Sequence, residues 1–179
     1  MENFQQLIIK RRSIRHFTTE PIDADHVKMI LEAALMAPTS KSSRAWQFIV
    51  IDDKDTLERL SHCKERAAEP IGRAPLAIVV AVDPSATEPW IEDASIAASY
   101  MQLQATDLGL GSCWIQVRDR YGADGTPADE YVQELLGMPE TLPIVCILAI
   151  GHPAEERKPQ ALDRLKWEQV HINQWTQRQ

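Results

Sequence analysis

The sequence predicts an α+β or α/β sandwich built around a sheet of four or five strands. Four short, mostly apolar runs have the length and composition of strands, and they cover residues 46–52, 76–82, 112–117 and 143–150. Two helical patterns precede the first run, and longer helical patterns alternate with the later ones. With 179 residues, 44% of them hydrophobic, the chain is long enough for a sizeable core. We find no internal repeat or long linker, so we expect one domain over residues 1–179.

Three helices are predicted in the first third of the chain. Residues 3–11 place their apolar side chains on one stripe and predict the first helix. The second begins at the N-cap Asp23 and is ended by Pro38, because proline disfavours helical backbone in the residue before it. A short third helix follows the first strand, and either Asp53 or Asp55 is its N-cap.

The longest helical pattern covers residues 89–108 and carries alanine on one face. Small residues allow a neighbouring element to approach closely, so we expect this helix to be the central and most buried one. Gly109 supplies its C-terminal stop. A last helix begins with Thr126 as N-cap and Pro127 at its first position, and Gly137 ends it.

The chain after Gly151 turns polar and contains proline, yet it ends in a group of large apolar residues. Such residues have no obvious place in a compact monomer, because apolar surface of this size favours burial. We therefore expect the tail to dock on another surface, and a partner subunit is the simplest candidate. The apolar residues are Leu165, Trp167, Val170, Ile172 and Trp175.

Charge and cysteine usage exclude several classes of protein. The formal net charge of -7 and the pI of about 5.2 argue against binding to nucleic acid or to an anionic membrane. The longest apolar run, at 144–150, is too short to span a bilayer, and the N-terminus has no signal-peptide pattern. Cys63, Cys113 and Cys146 form no C-x-x-C pair, and an odd number fits a reducing compartment. We expect a soluble, cytoplasmic protein with no nucleic-acid or membrane partner.

Several common catalytic patterns are missing from the sequence. The Gly-Leu-Gly-Ser stretch at 109–112 follows a helix and precedes a strand, the reverse of the order in dinucleotide-binding loops, and is typical of a helix stop and turn. The five histidines never fall at metal-ligand spacing, so we expect no metal site. No G-x-S-x-G or H-E-x-x-H motif is present, and we expect Cys113 to be a buried packing residue.

A basic segment at residues 11–17, Arg-Arg-Ser-Ile-Arg-His-Phe, contrasts with the acidic chain around it. In an extended conformation Arg11, Ser13 and Arg15 would share one face, with the two arginines roughly 13 Å apart. That spacing suits an elongated ligand with a phosphate at one end and a second electron-rich group at the other. A solvated basic patch is the alternative interpretation of the same charges.

A second informative stretch covers residues 37–48. A helix ends in a proline there, and a loop of hydroxyls and cations leads to a tryptophan that enters a strand. Backbone amides and hydroxyls in such a loop can hydrogen-bond the polar edge of a ring or a phosphate. A loop of this composition is common and does not by itself indicate a binding site.

Four motifs, taken in order, resemble those of the nitroreductase family of FMN-dependent oxidoreductases. The segment at 11–17 is similar to the family's opening flavin motif, and the stretch at 37–48 is similar to its second. Residues 108–115 resemble the third motif. The end of the chain is similar to the family's C-terminal arm: Gly-His-Pro at 151–153, Glu-Glu-Arg-Lys-Pro at 155–159, and then Val170, His171 and Trp175. Each motif is weak alone, but four in the correct order make a specific signal.

This resemblance implies a fold, an assembly and a cofactor. The fold is an α+β three-layer sandwich in which helices flank a mixed, mainly antiparallel sheet. Two chains form an intertwined homodimer with two FMN sites at the interface, and a C-terminal arm over about 152–179 crosses between the subunits. NADH or NADPH gives a hydride to flavin N5, and a small organic acceptor (a nitroaromatic, quinone or enone) then takes the electrons in the same pocket, so no protein nucleophile is required.

The resemblance also implies roles for the motif residues. Arg11 would pair with the flavin phosphate, and Ser13 would contact the ribityl chain or the phosphate. Arg15 would lie beside the N1/C2 carbonyl edge and stabilise the reduced flavin. Either Arg157 or Lys158 would complete the phosphate clamp. The other cofactor-binding residues would be Arg12 in the first motif, Pro38, Thr39 and Ser40 with Ser42 on the loop of the other subunit, and Ile115 and Gln116 on the opposite side of the ring.

The loop departs from the family pattern just before the tryptophan. Where the family commonly has Asn and then Gln-Pro, this chain has Ser42 and then Arg44-Ala45. The lost amide removes one polar contact to the ring, and Arg44 adds positive charge near the cofactor edge or the substrate mouth. The substrate class therefore does not transfer. Two alternatives stay open: a dimeric flavin-binding module without turnover, and a same-fold flavin enzyme that performs dehalogenation or ring cleavage.

Overall fold

Four strands form the central sheet of this protein, whose computed structural model describes residues 3–175. The strands are β1 Trp46–Ile51, β2 Leu76–Val82, β3 Gly111–Gln116 and β4 Ile144–Gly151. They lie in the order β1-β2-β4-β3, and each neighbouring pair is antiparallel. An isolated parallel bridge between Ser13 and Ser112 joins the basic segment to β3. The predicted α+β class and its four strands are confirmed.

Helices cover both faces of this sheet. Those of the described residues are α1 Phe4–Lys10, α2 Ala24–Leu35, α3 Lys54–Leu60, α4 Pro70–Arg73, α5 Trp90–Asp107 and α6 Ala128–Leu136. Periodicity in the sequence missed α4, because four residues are too few to show a helical repeat. Short 3-10 turns occur at Ser40–Ser42, Leu162–Arg164 and Trp167–Gln169.

The side chains of β2 show how the three layers form. Successive strand residues point to opposite faces, so Leu76, Ile78 and Val80 pack with α2 and α5. Ala77 and Val79 point the other way and pack with α3, α4 and α6. All residues of β2 and β4 are buried, which explains why both strands are continuously apolar in the sequence.

The α5 helix is the central element on its face of the sheet. It contacts α1, α2 and all four strands, which confirms the expectation drawn from its alanine stripe. Alanine side chains are small, so the backbone of a neighbouring helix can approach α5 closely, and α2 is in contact with it. Its fully buried residues include Ala94, Ala97, Ala98, Met101 and Ala105.

The helix ends test the predicted caps. Asp23 and Asp53 accept backbone N–H groups at the starts of α2 and α3, so both are N-caps and Asp55 is not. The prediction for α6 was wrong, because Pro127 is the N-cap and no side chain caps this helix. Thr126 instead belongs to the preceding turn, where its carbonyl accepts from the Gly122 N–H at 2.8 Å. Because Thr126 is part of this turn, α6 begins one residue later than predicted.

The chain after β4 lies largely on the surface. Residues 156–175 are exposed apart from His171, and the exposed fraction reaches 79% at Ile172. None of the large apolar residues of the tail is buried within one copy of the chain, as its composition predicted. The last four residues of the predicted 152–179 arm lie outside the described residues. Within residues 3–175, no helix has both the length and the apolar character needed to cross a bilayer.

Candidate functional site

Three motifs that are distant in the sequence meet beside β3. The Ile14 N–H in the basic segment donates to the Ser112 carbonyl of β3 at 2.9 Å. Further along the same segment, the His16 carbonyl accepts from the Ala154 N–H at 2.9 Å. The stretch that follows β4 is therefore tied to the basic segment, which is itself tied to β3. The first, third and fourth predicted motifs are neighbours in space.

Two glycines allow these backbones to come so close. A Cβ on Gly111 would lie 2.8 Å from the Cβ of Ile14, and a Cβ on Gly151 would lie 2.5 Å from Pro75 Cδ. Contacts under 3.0 Å are essentially never seen for real Cβ atoms, so a side chain at Gly111 would push the basic segment away from β3. Gly111 of the third motif and Gly151 of the fourth therefore serve this close packing.

A cleft with a volume of about 260 Å³ opens along the basic segment. Four arginine side chains face it, and no carboxylate lines it. Of the two predicted clamp residues, Arg157 lines the cleft and Lys158 does not. The Lys158 carbonyl accepts a hydrogen bond from Arg12 Nη1. Within residues 3–175, the side chains of Arg11 and Arg15 make no hydrogen bond or ion pair with protein, so their guanidinium groups are available. The lining residues are Arg11, Arg12, Ser13, Arg15, Arg157 and Gln160.

Glu155 connects the two halves of the cleft. One carboxylate oxygen accepts from the Arg15 N–H at 2.8 Å, and the other lies 3.1 Å from Arg157 Nη2. The hydrogen bond from the Arg15 backbone, aided by the charge of Arg157, lowers the pKa of Glu155. The ionised carboxylate therefore fixes the backbone at Arg15 and orients Arg157 in the same arrangement.

The donors in this cleft fit a phosphate group. An arginine guanidinium presents paired N–H groups that match the oxygens of a phosphate, and charge-assisted bonds of this kind are the strong ones. The Ser13 hydroxyl can add a further donor. A surface patch would spread such charges over solvent, whereas here two distant chain segments, 11–15 and 157–160, bring them to one cavity. This cluster of guanidinium groups, of which those of Arg11 and Arg15 have no partner among residues 3–175, favours the binding-site interpretation over a solvated patch.

The 39–44 loop stands against the first turn of α5. Asp93 Oδ1 accepts from the Ser40 N–H at 3.0 Å, and Asp93 Oδ2 accepts from the hydroxyls of Thr87 at 3.1 Å and Ser43 at 3.3 Å. The Arg44 N–H donates to the Thr39 hydroxyl at 3.1 Å. These bonds hold the loop at both ends.

Three residues of this loop have left-handed backbone conformations. The φ angles are 51° at Lys41, 56° at Ser42 and 49° at Arg44. Each such residue other than glycine costs about 1–2 kcal/mol. A hydrogen bond to a charged group contributes about 1.5–3 kcal/mol, so the two bonds that the loop makes to Asp93 offset a large part of the strain. The loop is therefore held in one uncommon shape.

The predicted residues of the second motif do not reach the basic cleft within one chain. Pro38 and Ser42 are exposed and Thr39 and Ser40 are half-buried, and none of them lines the cleft around Arg11. Their expected origin, in the other subunit, stays a prediction.

Ile115 and Gln116 lie on β3, beside the basic segment, but their side chains are occupied. Ile115 is 1% exposed and packs in the core, so any ligand contact at this position falls to its backbone. The Gln116 amide accepts from Trp114 Nε1 and donates to the Arg118 carbonyl, each at 3.0 Å. The strand pattern predicts alternating burial, but it does not identify these partners.

Lys64 is a cation that the sequence analysis missed. Its Nζ donates to the Gln116 carbonyl at 3.0 Å, and burial is the largest cause that lowers the pKa of Lys64. It therefore places a half-buried positive charge beside the strand that carries the third motif. Lys64 stands in a charged loop without a recognisable pattern, so no signal in the sequence distinguishes it from its exposed neighbours.

Comparison with known proteins places this arrangement in a family. The model of the nitroreductase family matches residues 8–65 and 60–152 of this chain. A candidate NADH dehydrogenase/NAD(P)H nitroreductase of Archaeoglobus fulgidus is 31% identical over 180 residues, which cover 98% of this chain and 100% of that protein. The 5,6-dimethylbenzimidazole synthase of Rhodospirillum rubrum is 29% identical over 189 residues, with coverage of 88% and 85%.

A solved structure shows the same fold at higher identity. An FMN-dependent nitroreductase from Clostridium difficile R20291 superposes with a TM-score of 0.92 and is 46% identical. The superposition covers 94% of this chain and 98% of that one. The sandwich of helices and antiparallel strands described above is therefore the fold of that enzyme.

Proposed function

This chain belongs to the nitroreductase family, and on that premise we propose that it is an FMN-dependent NAD(P)H oxidoreductase with a ping-pong mechanism. The observation that carries this proposal is the cleft in which Arg11, Ser13, Arg15 and Arg157 converge. When bound, FMN supplies hydride chemistry, taking two electrons from NADH or NADPH and passing them to a small organic acceptor such as a nitroaromatic, a quinone or an enone.

The chain's own residues bind and orient the cofactor. Arg11, Ser13 and Arg157 would hold the phosphate, because they offer charged and hydroxyl donors to one cavity. Glu155 keeps Arg157 in place, and Arg12 fixes the C-terminal stretch through the Lys158 carbonyl. Arg15, at the same cleft, supplies the cation that we assign to the pyrimidine edge of the flavin.

A second copy of the chain would complete the site. Large apolar side chains are exposed around a groove of about 570 Å³ between α1, α2 and α5, with Phe4 at 64% and Met36 at 73% exposure. The tail also exposes Trp167, Ile172 and Trp175. A monomer rarely leaves so much apolar surface in water. We infer an intertwined homodimer in which the tail crosses to the partner and the 38–42 loop of the partner contacts the flavin.

The cysteines fit an enzyme that acts in a reducing compartment. All three thiols are free and buried, and burial raises the pKa of Cys63 to about 11. Burial also raises the pKa values of Cys113 and Cys146, so none of the three is a reactive nucleophile. We assign the protein to the cytoplasm, where such thiols stay reduced.

An absorption spectrum tests the proposed function. Purified protein should carry one FMN per chain, and the yellow colour should bleach on anaerobic addition of NADH or NADPH. Adding a quinone or nitroaromatic should then restore it. Protein that binds FMN but is not bleached by either nicotinamide would instead be a flavin-binding module.

The relationship to 5,6-dimethylbenzimidazole synthase favours a second candidate. A family that includes a synthase of this kind supports chemistry other than electron transfer to an external acceptor. In that case NAD(P)H would not sustain turnover with quinones or nitroaromatics, and the flavin itself would be consumed. Measuring the recovery of FMN after prolonged incubation with NAD(P)H and oxygen separates the two candidates.

A further inference from the structure

Asp93 is a buried carboxylate that the proposed function does not yet use. It is 4% exposed, and no lysine or arginine among residues 3–175 pairs with it. A carboxylate in such a place is stable only if hydrogen bonds replace its water. Two of its bonds come from the 39–44 loop, from the Ser40 N–H and the Ser43 hydroxyl.

A role in stabilising α5 does not account for these bonds. Negative charge in the first turn of a helix is favourable, and Glu92 supplies it one residue earlier from an exposed position. Asp93 is buried in addition and faces the loop. Its placement costs desolvation that an exposed carboxylate would avoid, so the bonds to the loop are the feature that distinguishes it.

The bonds to Asp93 select which loop groups remain available. The Ser40 N–H is used by Asp93, and the Thr39 hydroxyl accepts from the Arg44 N–H. Among the described residues, the hydroxyls of Ser40 and Ser42 make no hydrogen bond. Lys41, between the two serines, and Ser42 itself are left-handed, so both hydroxyls stand on a loop with an uncommon backbone shape.

We propose that Asp93 is a positioning residue that holds the 39–44 loop in its left-handed shape, so that the Ser40 and Ser42 hydroxyls are presented to the flavin ring. This inference rests on the proposed function, in which the loop contacts FMN. Without Asp93, the strained residues relax toward ordinary backbone angles, and FMN binding must then restore the loop at the expense of affinity.

The first test compares the FMN affinity of apoproteins. Flavin-free wild type, Asp93→Ala, Asp93→Asn and Glu92→Ala would be titrated into FMN while its fluorescence is followed. Asp93→Ala should weaken binding about tenfold or more. Asp93→Asn keeps one acceptor for the Ser40 N–H, so its FMN affinity should lie between those of wild type and Asp93→Ala. Glu92→Ala removes a charge from the same helical turn and should stay within about twofold of wild type.

A rescue experiment separates loop positioning from a general loss of structure. Glycine adopts left-handed angles without strain. Adding Lys41→Gly to Asp93→Ala should therefore recover at least about threefold of the FMN affinity that Asp93→Ala loses. Lys41→Ala removes the same charge but keeps a Cβ, and it should recover nothing. Equal effects of Lys41→Gly and Lys41→Ala would overturn the proposal, because a merely structural role of Asp93 predicts no difference between them.

The remaining outcomes are also decisive. If Asp93→Ala does not fold, Ser43→Ala removes one loop bond and should still weaken FMN binding severalfold; unchanged affinity in Ser43→Ala would then overturn the inference. If wild type and Asp93→Ala bind FMN equally well, the inference about Asp93 is wrong and the proposed function is unaffected. Wild type that fails to bind FMN at all would overturn the proposed function, and the inference with it.

Discussion

Arg11 is the single residue on which the proposed phosphate clamp most directly depends. Its guanidinium lines the cleft and makes no bond to other described residues. Arg11→Ala should weaken FMN binding by about 1.5–3 kcal/mol, or roughly 10- to 150-fold, because one charge-assisted contact is lost. Fluorescence titration of apoprotein measures this change. Arg66→Ala, which removes an arginine whose side chain is 87% exposed, is the matched control and should leave the affinity unchanged.

Arg15 tests the other end of the elongated cleft. If its charge lies at the pyrimidine edge of FMN, it stabilises the negative charge that two-electron reduction places there. Arg15→Gln keeps hydrogen-bond donors without the charge, so the midpoint potential of bound FMN should fall by about 30 mV for each 1.4 kcal/mol lost. The affinity for oxidised FMN should change little. Equal potentials in a redox titration of both proteins would show that Arg15 is not at the pyrimidine edge and that its charge belongs to the phosphate clamp or to the solvated surface.

Glu155 predicts how the clamp responds to acid. The pKa of Glu155 is lowered in the folded protein. Its bonds to Arg15 and Arg157 therefore stabilise the fold at pH values above 4.5, the ordinary pKa of the group, and this stabilisation is lost as the pH falls through the lower pKa of the folded state. Glu155→Gln should therefore have a lower urea midpoint than wild type at pH 7. The gap should narrow as the pH falls below 4.5 and close once it is below the lowered pKa of the folded protein. A difference that stays constant over this range would contradict the role of the charge.

At the scale of elements, the contact between β3 and the basic segment sets the shape of the cleft. Gly111→Ala puts a Cβ against the Ile14 side chain, and relieving that overlap costs about 1–3 kcal/mol of unfolding free energy. The same shift displaces Ser13 and Arg15, so FMN affinity should fall as well. Chemical denaturation and fluorescence titration measure the two effects.

A second glycine gives the control for this substitution. A Cβ on Gly72 would approach the Glu58 Oε2 atom, the end of a flexible and mostly exposed side chain that can turn away. Gly72→Ala should therefore cost less than Gly111→Ala and leave FMN affinity unchanged. If the two variants lost FMN equally, the close approach at Gly111 would not shape the cleft.

At the scale of the whole molecule, the exposed apolar tail predicts that folding and assembly are linked. Deleting the chain from Lys166 onward should give a monomer that retains no FMN, or an insoluble product, because the apolar contacts proposed between the tail and the partner are lost. Light scattering after gel filtration measures the mass. The full-length variants Trp167→Ser and Ile172→Ser should weaken the dimer in the same direction. A soluble, yellow monomer from the truncation would refute the assembly.

The sequence by itself determined the secondary structure and the motifs, because both are written in short stretches of chain. Short continuous apolar runs identified the four strands, and a helical period of 3.6 residues identified α5. The caps Asp23 and Asp53 follow from one side chain and its nearest backbone amides. Its failures were also local: α4 is too short to show a period, and Thr126 was drawn into a turn.

Only the tertiary structure decided which distant groups meet. It placed Arg157 rather than Lys158 at the cleft, because Glu155 and Arg12 anchor the stretch after β4 against the basic segment. It also brought Asp93 to the 39–44 loop and Lys64 to β3. A buried charge and its partners are matched through space, and neither periodicity nor composition records which pairs the packed sheet and helices will bring together.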